Sequence, residues 1–317
     1  MHGKGLILIK KLEGLPVLSG PLAAVSRTLT AISTLLTIIY TPTEKLFAPA
    51  EGRIDPIRCD SAYGVFNVFC VNDRAAPDIG IMITIAVLIL VITGMFPWLT
   101  SILHFYVTFF FQQNLAIPDG GDQVTTFLTL MFMLVFFGDR RINHWHPAEK
   151  ISFIQPFTTV SGIYLIKLQM AIIYLNAAIH KMATKDWLEG SELYYLLGGS
   201  FEPSGIFLPV YRLMVEQPYL SVVSTWGAAI LELFLGATLV MPNNLKKLSL
   251  CMGLIFHVAI AIFLGITSFQ IVMFAGLLIL CIPQESIWQN GKKTLVDAMD
   301  VSVAYFRHTF RKSMNLI

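Results

Sequence analysis

The sequence predicts an all-α membrane protein, a polytopic bundle of about eight transmembrane helices. Of its 317 residues, 55% are hydrophobic and 13% are charged, whereas soluble domains carry roughly 25% charged residues. A single soluble core would not bury this much apolar surface, so lipid must be part of the solvent. The formal net charge is only +2, and the basic residues gather at segment ends. Both observations argue against nucleic acid as a partner.

Eight apolar stretches are long enough to cross a bilayer, for which a helix needs about 17–25 residues. The predicted spans are 20–41, 79–96, 99–116, 123–138, 157–183, 221–241, 247–265 and 268–284. The third span is the least regular, because Pro97 precedes it and polar residues occupy its last turns. A re-entrant segment is therefore the alternative there. The apolar run 6–9 is too short for a signal peptide, so we expect the first span to act as the insertion signal.

The distribution of lysine and arginine predicts the orientation of the bundle. Segments on one side of the membrane are rich in these residues: Lys4, Lys10, Lys11, Arg140, Arg141, Lys246, Lys247 and the basic residues after 285. Segments on the other side carry few of them for their length: 42–78, 119–122, 184–220 and the turn near 266. Since basic loops stay inside, both termini are predicted to be cytoplasmic.

The same assignment divides the chain into two parts. Residues 1–284 form the predicted transmembrane domain, with outer loops at 42–78 and 184–220. Residues 285–317 are predicted to form an amphipathic cytoplasmic helix on the membrane surface, and a solvated tail is the alternative.

The cysteines agree with this orientation. Cys59 and Cys70 lie in the same predicted outer loop, where an oxidising compartment favours a disulfide between them over two free thiols. Cys251 and Cys281 lie within predicted helices, where cysteine behaves as a small apolar residue.

Four ionisable residues stand out within the predicted spans and are expected to form a buried polar network: Arg27, Lys167, Glu232 and His257. Such groups are expensive at membrane depth and therefore mark functional or structural sites. We expect Glu232 to pair with Lys167 or Arg27 near the midplane, either as a structural ion pair or in a catalytic or proton-relay role. His257 is expected to form an interhelical hydrogen bond.

The fifth span carries two polar stripes at helical spacing. The first contains Gln169, Asn176 and His180, and it is predicted to face protein rather than lipid. The second contains Lys167, Tyr174 and Lys181. Lys181 lies at the outer end of the span, beside the loop that holds Trp187 and Glu189. A lysine there can serve as a base, and a lysine that extends to the membrane surface is the alternative.

The turn Asp119 to Gln123 (DGGDQ) opens to the same predicted side as Lys181. Asp122 is placed to cap the following helix, and the two glycines permit a tight turn and close approach of a ligand. His144 and His146 have no third ligand nearby in the sequence, so no metal site is predicted.

The region around Lys181 resembles the vitamin K-dependent γ-carboxylases. The matching segments are Ile172 to Tyr174, Ala177 to Met182 (AAIHKM) and Asp186 to Gly190 (DWLEG). The wider grouping is the HTTM domain, which DGGDQ, Trp226 to Glu232 (WGAAILE) and Phe256-His257 also resemble. Within it, the chain is similar to the SdpB family (sporulation-delaying protein B) over most of its length. The segments that resemble the SdpB family in particular are Arg27 to Leu29, Tyr40 to Thr43, the Cys59–Cys70 loop and Leu103-His104.

The resemblance implies a function in making a secreted peptide toxin. SdpB-type proteins act with a small partner, SdpA, so an SdpA-like protein and a toxin precursor are the implied partners. Lys181 matches the catalytic base of the carboxylases, while His180 replaces the lysine before it. The chain also has an extra residue between Lys181 and Asp186 and lacks the luminal propeptide-binding domain. These departures argue against γ-glutamyl carboxylation and vitamin K use and leave a quinone as an open cofactor.

The sequence thus predicts an HTTM-like membrane protein that helps to mature or export a secreted antimicrobial peptide. Its outward-facing site would combine a base, Lys181 tuned by His180, with residues that orient the peptide: Asp122, Gln123, Trp187 and Glu189. One alternative is a quinone-dependent, carboxylase-like enzyme. Another is a non-enzymatic scaffold or an immunity-like binder of the toxin.

Overall fold

A computed structural model of the protein describes residues 20–49, 57–59, 64–71, 74–146, 155–199 and 207–282. Two sequence predictions lie outside these residues, the basic N-terminal segment and the amphipathic tail 285–317.

The described chain is almost entirely helical. The helices are α1 Pro21–Tyr40, α2 Thr43–Leu46, α3 Pro77–Thr93, α4 Pro97–Asn114, α5 Gly120–Val135, α6 Gln155–Ala183, α7 Lys185–Leu188, α8 Glu192–Gly199, α9 Leu208–Glu216, α10 Pro218–Ala237, α11 Asn243–Leu264 and α12 Thr267–Cys281. Short 3₁₀ turns occupy Gly64–Phe66 and Thr238–Val240, and two-residue strands β1 Cys70–Val71 and β2 Arg74–Ala75 pair antiparallel. The all-α prediction is confirmed.

Each of the eight predicted spans corresponds to one long helix of this set. Four are long and apolar enough to cross a membrane: Pro21–Tyr40, Phe157–Ala183, Pro218–Val240 and Asn243–Leu264. Three more are apolar but shorter: Pro77–Thr93, Gly120–Val135 and Thr267–Cys281. Residues 97–114 form one uninterrupted helix of 18 residues. The number of membrane crossings, about eight, stays a prediction.

Prolines and glycines set the helix boundaries. A proline occupies the first turn of several helices, where its fixed φ suits the helix and its missing N–H costs nothing: Pro21, Pro77, Pro97 and Pro218. At the other end, α3 and α11 stop at Gly94 and Gly265, whose φ values are 83° and 72°. Residues with a side chain rarely adopt this conformation.

The helices bury two apolar cores. One lies mainly among α5, α6 and α12 and includes the fully buried Leu128 and Leu277. The other lies among α1, α3, α4 and the loop before α3, and includes Leu88 and Phe111.

Helix α12 lies at the centre of the bundle, where it packs against α1, α5, α6 and α11. A Cβ atom added at Gly276 would lie 2.3 Å from the Met170 sulfur, so the glycine permits the close approach of α6. At the start of α12, the hydroxyl of Ser33 on α1 donates a hydrogen bond to the carbonyl of Ser268 (2.7 Å).

The predicted disulfide is present. Cys59 and Cys70 are bonded, with their Cα atoms 5.7 Å apart. The same loop is held to α4 by a hydrogen bond from the Asn67 side chain to the Asn114 side chain (3.3 Å). Of the other cysteines, Cys251 is exposed on α11 and Cys281 is buried in α12.

Candidate functional site

Lys181 and Glu232 form an ion pair between α6 and α10. The Lys181 ammonium lies 2.7 Å from Oε1 and 2.6 Å from Oε2 of Glu232. The lysine side chain is 20% exposed and that of the glutamate 10%. Both charges are thus largely removed from water, and the ammonium remains reachable from one side.

An indole ring completes the surroundings of the ammonium. The Lys181 nitrogen lies 5.0 Å from the centre of the Trp187 ring, within the range of a cation–π interaction. Trp226 holds the segment that carries Trp187, because its indole N–H donates to the carbonyls of Trp187 (3.1 Å) and Leu188 (3.2 Å). We call Lys181, Glu232 and Trp187 the Lys181 site.

Local sequence explains how these three side chains meet. Helix α6 ends at Ala183, two residues after Lys181, and the short helix α7 brings Trp187 back over the ammonium. The chain then turns at Gly190, which has φ 76° and lies against Val222 of α10. Deeper in the bundle, Gly236 lets α10 approach Leu175 of α6, since an added Cβ would lie 2.6 Å from that side chain.

The arrangement is suited to proton transfer and to hydrogen bonding with a peptide. An ammonium donates hydrogen bonds only, and here two of its three N–H groups have carboxylate acceptors. The remaining donor is available to a carbonyl oxygen that enters from the exposed side. Glu232 is also placed to receive the proton of Lys181, which would leave an amine able to act as a base or nucleophile.

The prediction that Glu232 pairs with Lys167 or Arg27 was wrong. Glu232 pairs with Lys181, and neither Lys167 nor Arg27 contacts it within the described residues. Glu232 is the fifteenth residue of α10, yet it lies level with the end of α6. The reason is that the first half of α10 continues past this end and packs against α8 and α9. Counting residues along a single helix therefore placed Glu232 too far from the end of α6.

Arg27 lies in a separate buried cluster near the other end of the bundle. Its guanidinium hydrogen-bonds to His144 Nδ1 (3.3 Å) and donates to the hydroxyl of Thr100. Its Cζ atom also lies 4.9 Å from the centre of the Phe136 ring. Because Arg27 can only donate, His144 accepts through Nδ1 and carries its proton on Nε2. The cluster joins α1 to α4 and to the loop after α5.

Protonation of His144 should make stability depend on pH. Burial, and then the charges of Arg27 and Arg141, lower the pKa of His144 to about 3, whereas the unfolded chain has the ordinary value of about 6.5. The unfolded state therefore binds the proton first, so stability is complete above about pH 6.5 and decreases as the pH falls towards 3.

Thermal unfolding of the purified protein at about pH 7.5 and about pH 5 checks this expectation. The loss of stability at the lower pH should shrink in His144→Asn and persist in His146→Asn, whose native side chain is exposed. An identical loss in both variants would contradict it.

His257 forms the expected interhelical hydrogen bonds, in a third polar group. Its Nε2 atom lies 2.8 Å from the Tyr174 hydroxyl on α6, and its Nδ1 atom contacts Oε1 of the Gln270 side-chain amide on α12. With the amide oriented in this way, His257 Nδ1 must donate, so Tyr174 donates to Nε2. This group satisfies polar atoms where three helices meet.

The four ionisable residues expected in one buried network are thus distributed over separate places. Lys167 is half-buried and lies within electrostatic range of Lys246 and Cys281.

The DGGDQ turn lies at a different place from the Lys181 site. Asp119, rather than Asp122, is the N-cap of α5. It accepts from the Asp122 N–H (2.9 Å), while the Asp122 carboxylate accepts from the Asp119 N–H (3.1 Å). Asp119 and Asp122 line a cavity of about 740 Å³ between α1, α5 and α12. Gln123 is exposed. The Asp122 carboxylate thus meets a free N–H at the start of α5 as predicted, but it does so as the third residue of a capping box whose N-cap is Asp119.

Two further residues predicted to lie at the site point elsewhere. His180 is exposed, and Glu189 lies 3.7 Å from Lys185 in an exposed pair. The predicted stripe of Gln169, Asn176 and His180 also faces outward rather than toward protein, with Asn176 and His180 exposed. The other stripe, which contains the buried Tyr174, faces the bundle.

Sequence reasoning did not anticipate the contribution of Trp226, Tyr174 or Gln270. An amide inside the apolar run 268–282 was a usable signal for Gln270. No local pattern in the sequence predicts the hydrogen bond from the Trp226 indole to the Trp187 backbone carbonyl. Across the described ranges, no three His, Cys, Asp or Glu side chains are grouped to hold a metal ion.

Comparison of the sequence with known proteins identifies the family of this chain. Residues 150–285 match the HTTM domain. The sporulation-delaying protein SdpB of Bacillus subtilis (strain 168) is 32% identical over 245 residues, which cover 74% of this chain and 74% of SdpB. The chain belongs to the SdpB family.

A second similar protein of the same organism is the uncharacterized protein YitO, which is 29% identical over 219 residues and covers 68% of this chain and 70% of its own length. No solved structure matches. Family, HTTM domain and apolar helices together identify this SdpB-family protein as a membrane protein. The HTTM match contains α6 to α12, so Lys181, Trp187 and Glu232 all lie within it.

Proposed function

We propose that this SdpB-family protein acts in the production of a secreted peptide toxin of the sporulation-delaying type, through the Lys181 site. The supporting relative is named a sporulation-delaying protein. The supporting structural observation is the Lys181–Glu232 pair, which is largely buried, lies under an indole and opens near the end of α6. Structural ion pairs are often buried, but this one keeps its ammonium partly accessible.

The proposed orientation brings the site to the side where a secreted peptide is met. With both termini cytoplasmic, the end of α6, the disulfide loop and the cavity at Asp119 and Asp122 all lie on the outer face. A toxin precursor is the proposed substrate and an SdpA-like protein the proposed partner. Lys181 would hold or activate a peptide group, Glu232 would exchange its proton, and the Asp122 cavity would accept another part of the peptide.

Mass spectrometry of the secreted peptide tests this proposal. Cells that produce the wild type should secrete mature toxin, and cells with Lys181→Ala or without the protein should not. Lys185→Ala is the matched control, because Lys185 is an exposed lysine four residues away whose ion pair with Glu189 is also exposed. It should secrete peptide of normal mass and yield.

Unchanged mass and yield in Lys181→Ala cells would overturn the proposed role of Lys181 and would favour the scaffold or immunity-like alternative. Membrane levels of each variant, measured by immunoblot, show whether a missing product reflects a missing protein.

A quinone-dependent modifying enzyme is the second candidate, and an apolar cavity favours it. The cavity has a volume of about 280 Å³ and lies between α10 and α11 beneath α8 and α9. Leu231, next to Glu232 in the chain, lines it together with Gly227 and Phe256. Its apolar lining fits a ring or chain of a quinone, whose redox chemistry the protein itself lacks. A toxin mass that differs between wild-type and Lys181→Ala cells would support this candidate.

A further inference from the structure

Helix α6 leaves one face uncovered by the described chain. Helices α5, α10 and α12 pack on its other sides and bury residues such as Ile166, Met170 and Tyr174. On the open face, Ile172 is 48% exposed and Ile179 is 61% exposed. This face belongs to a helix long and apolar enough to cross the membrane.

The residues of the open face follow the spacing of a coiled-coil seam. They alternate at intervals of four and three: Leu165, Gln169, Ile172, Asn176, Ile179 and Ala183. In heptad terms, Leu165, Ile172 and Ile179 take the d positions, and Gln169, Asn176 and Ala183 take the a positions. We call these six residues the α6 seam. A repeat of seven keeps such a seam against a partner helix over its whole length.

Two amides occupy consecutive a positions of the seam. Gln169 lies near the middle of the candidate span Phe157–Ala183, and Asn176 lies seven residues further on. Neither side chain makes a hydrogen bond with any residue of the described ranges. A polar side chain at membrane depth is costly without a partner, and amides of this kind form hydrogen bonds between transmembrane helices.

We propose that the α6 seam pairs with the α6 seam of a second copy of this chain. Two copies inserted in the same orientation, related by a two-fold axis along the membrane normal, bring each residue to its own equivalent at the same depth. An amide has both a donor and an acceptor, so Asn176 pairs with Asn176 of the second copy, and Gln169 does likewise. Polar residues at a positions also specify register and favour two helices.

This pairing leaves the Lys181 site open. Lys181 and Tyr174 lie on the side of α6 that faces the bundle, roughly 160–180° around the helix from the centre of the seam. The dimer is therefore independent of the function proposed above, and either can fail alone.

Cysteine cross-linking in native membranes tests the proposal. In a Cys251→Ser background, which removes the exposed native thiol, single cysteines replace Ile172, Asn176 and Ile179 in turn. Each should oxidise to a disulfide-linked species of twice the chain's mass. The controls are Met82→Cys on α3 and Ile255→Cys on α11, which are as exposed as the seam at 69% and 65%. They should remain monomeric.

A second measurement tests the amides themselves. Replacing both Gln169 and Asn176 with leucine should lower the cross-linking yield at position 172 by about threefold to tenfold, since each interhelical hydrogen bond contributes modestly. Because neither side chain makes a hydrogen bond within the described chain, the monomer should fold normally, and normal membrane levels confirm this. Equal yields at seam and control positions, or a cross-link to a different protein, would overturn the proposal.

Discussion

Replacing Glu232 with alanine should lower the yield of secreted mature peptide by about a hundredfold or more, because the Lys181–Glu232 pair would lose its proton transfer. The substitution removes both oxygens that hold the Lys181 ammonium and leaves a cation that is only 20% exposed without its partner. Losing hydrogen bonds to a charged group should also cost about 1–3 kcal/mol of stability. Peptide yield and thermal unfolding are therefore measured on the same variant.

The double variant Lys181→Met, Glu232→Leu separates chemistry from structure. Replacing both partners of a buried ion pair with apolar residues is often neutral for folding, because no charge is left buried alone. We therefore expect the double variant to regain stability and still to produce no mature peptide. If the double variant restored the peptide, the pair would serve only to hold α6 against α10, and the proposed role of Lys181 would fail.

Replacing Arg27 with alanine should cause the largest loss of stability of any substitution considered, about 3–5 kcal/mol, because it deletes a large buried side chain together with its hydrogen bonds. Arg27 is fully buried and among the largest side chains in the interior, and it binds His144, Thr100 and the face of Phe136 at once. Its loss frees three elements from one another and leaves a cavity. Thermal unfolding of the purified variant measures the effect.

Two substitutions calibrate that result. Arg27→Lys keeps the charge but not the fork of donors, so it should lie between alanine and the wild type. Arg140→Ala removes an exposed arginine near the same cluster and should change stability by less than about 0.5 kcal/mol. An Arg27→Ala protein as stable as Arg140→Ala would show that the cluster contributes nothing.

Local features were predictable from the sequence because they depend on neighbours in the chain. Apolar runs of sufficient length became helices at the expected places, and Cys59 and Cys70, eleven residues apart, formed the expected disulfide. The two stripes of α6 were also found by helical spacing. Periodicity alone does not say which stripe faces protein. The stripe with more amides was assigned inward because polar residues in a membrane helix usually face protein. The packing of α5, α10 and α12 places the other stripe inward instead.

Pairings between distant helices were not predictable in the same way. Lys181 and Glu232 are 51 residues apart, and their contact depends on how far α10 extends beyond the end of α6. A count of residues from each helix end assumes that all helices begin at the same height. Helix α10 breaks that assumption, so Glu232 was assigned to the wrong lysine.

The central position of α12 determines whether the HTTM-matched part of the chain can fold without the helices that precede it. The HTTM match begins at residue 150, after α1 and α5, yet α12 is packed against both, and Ser33 of α1 binds the backbone at its first turn. We therefore expect that the matched stretch would not fold when excised or grafted by itself. Its last helix is built to be enclosed by the chain that precedes it, so recombination within the family would have to exchange both halves together.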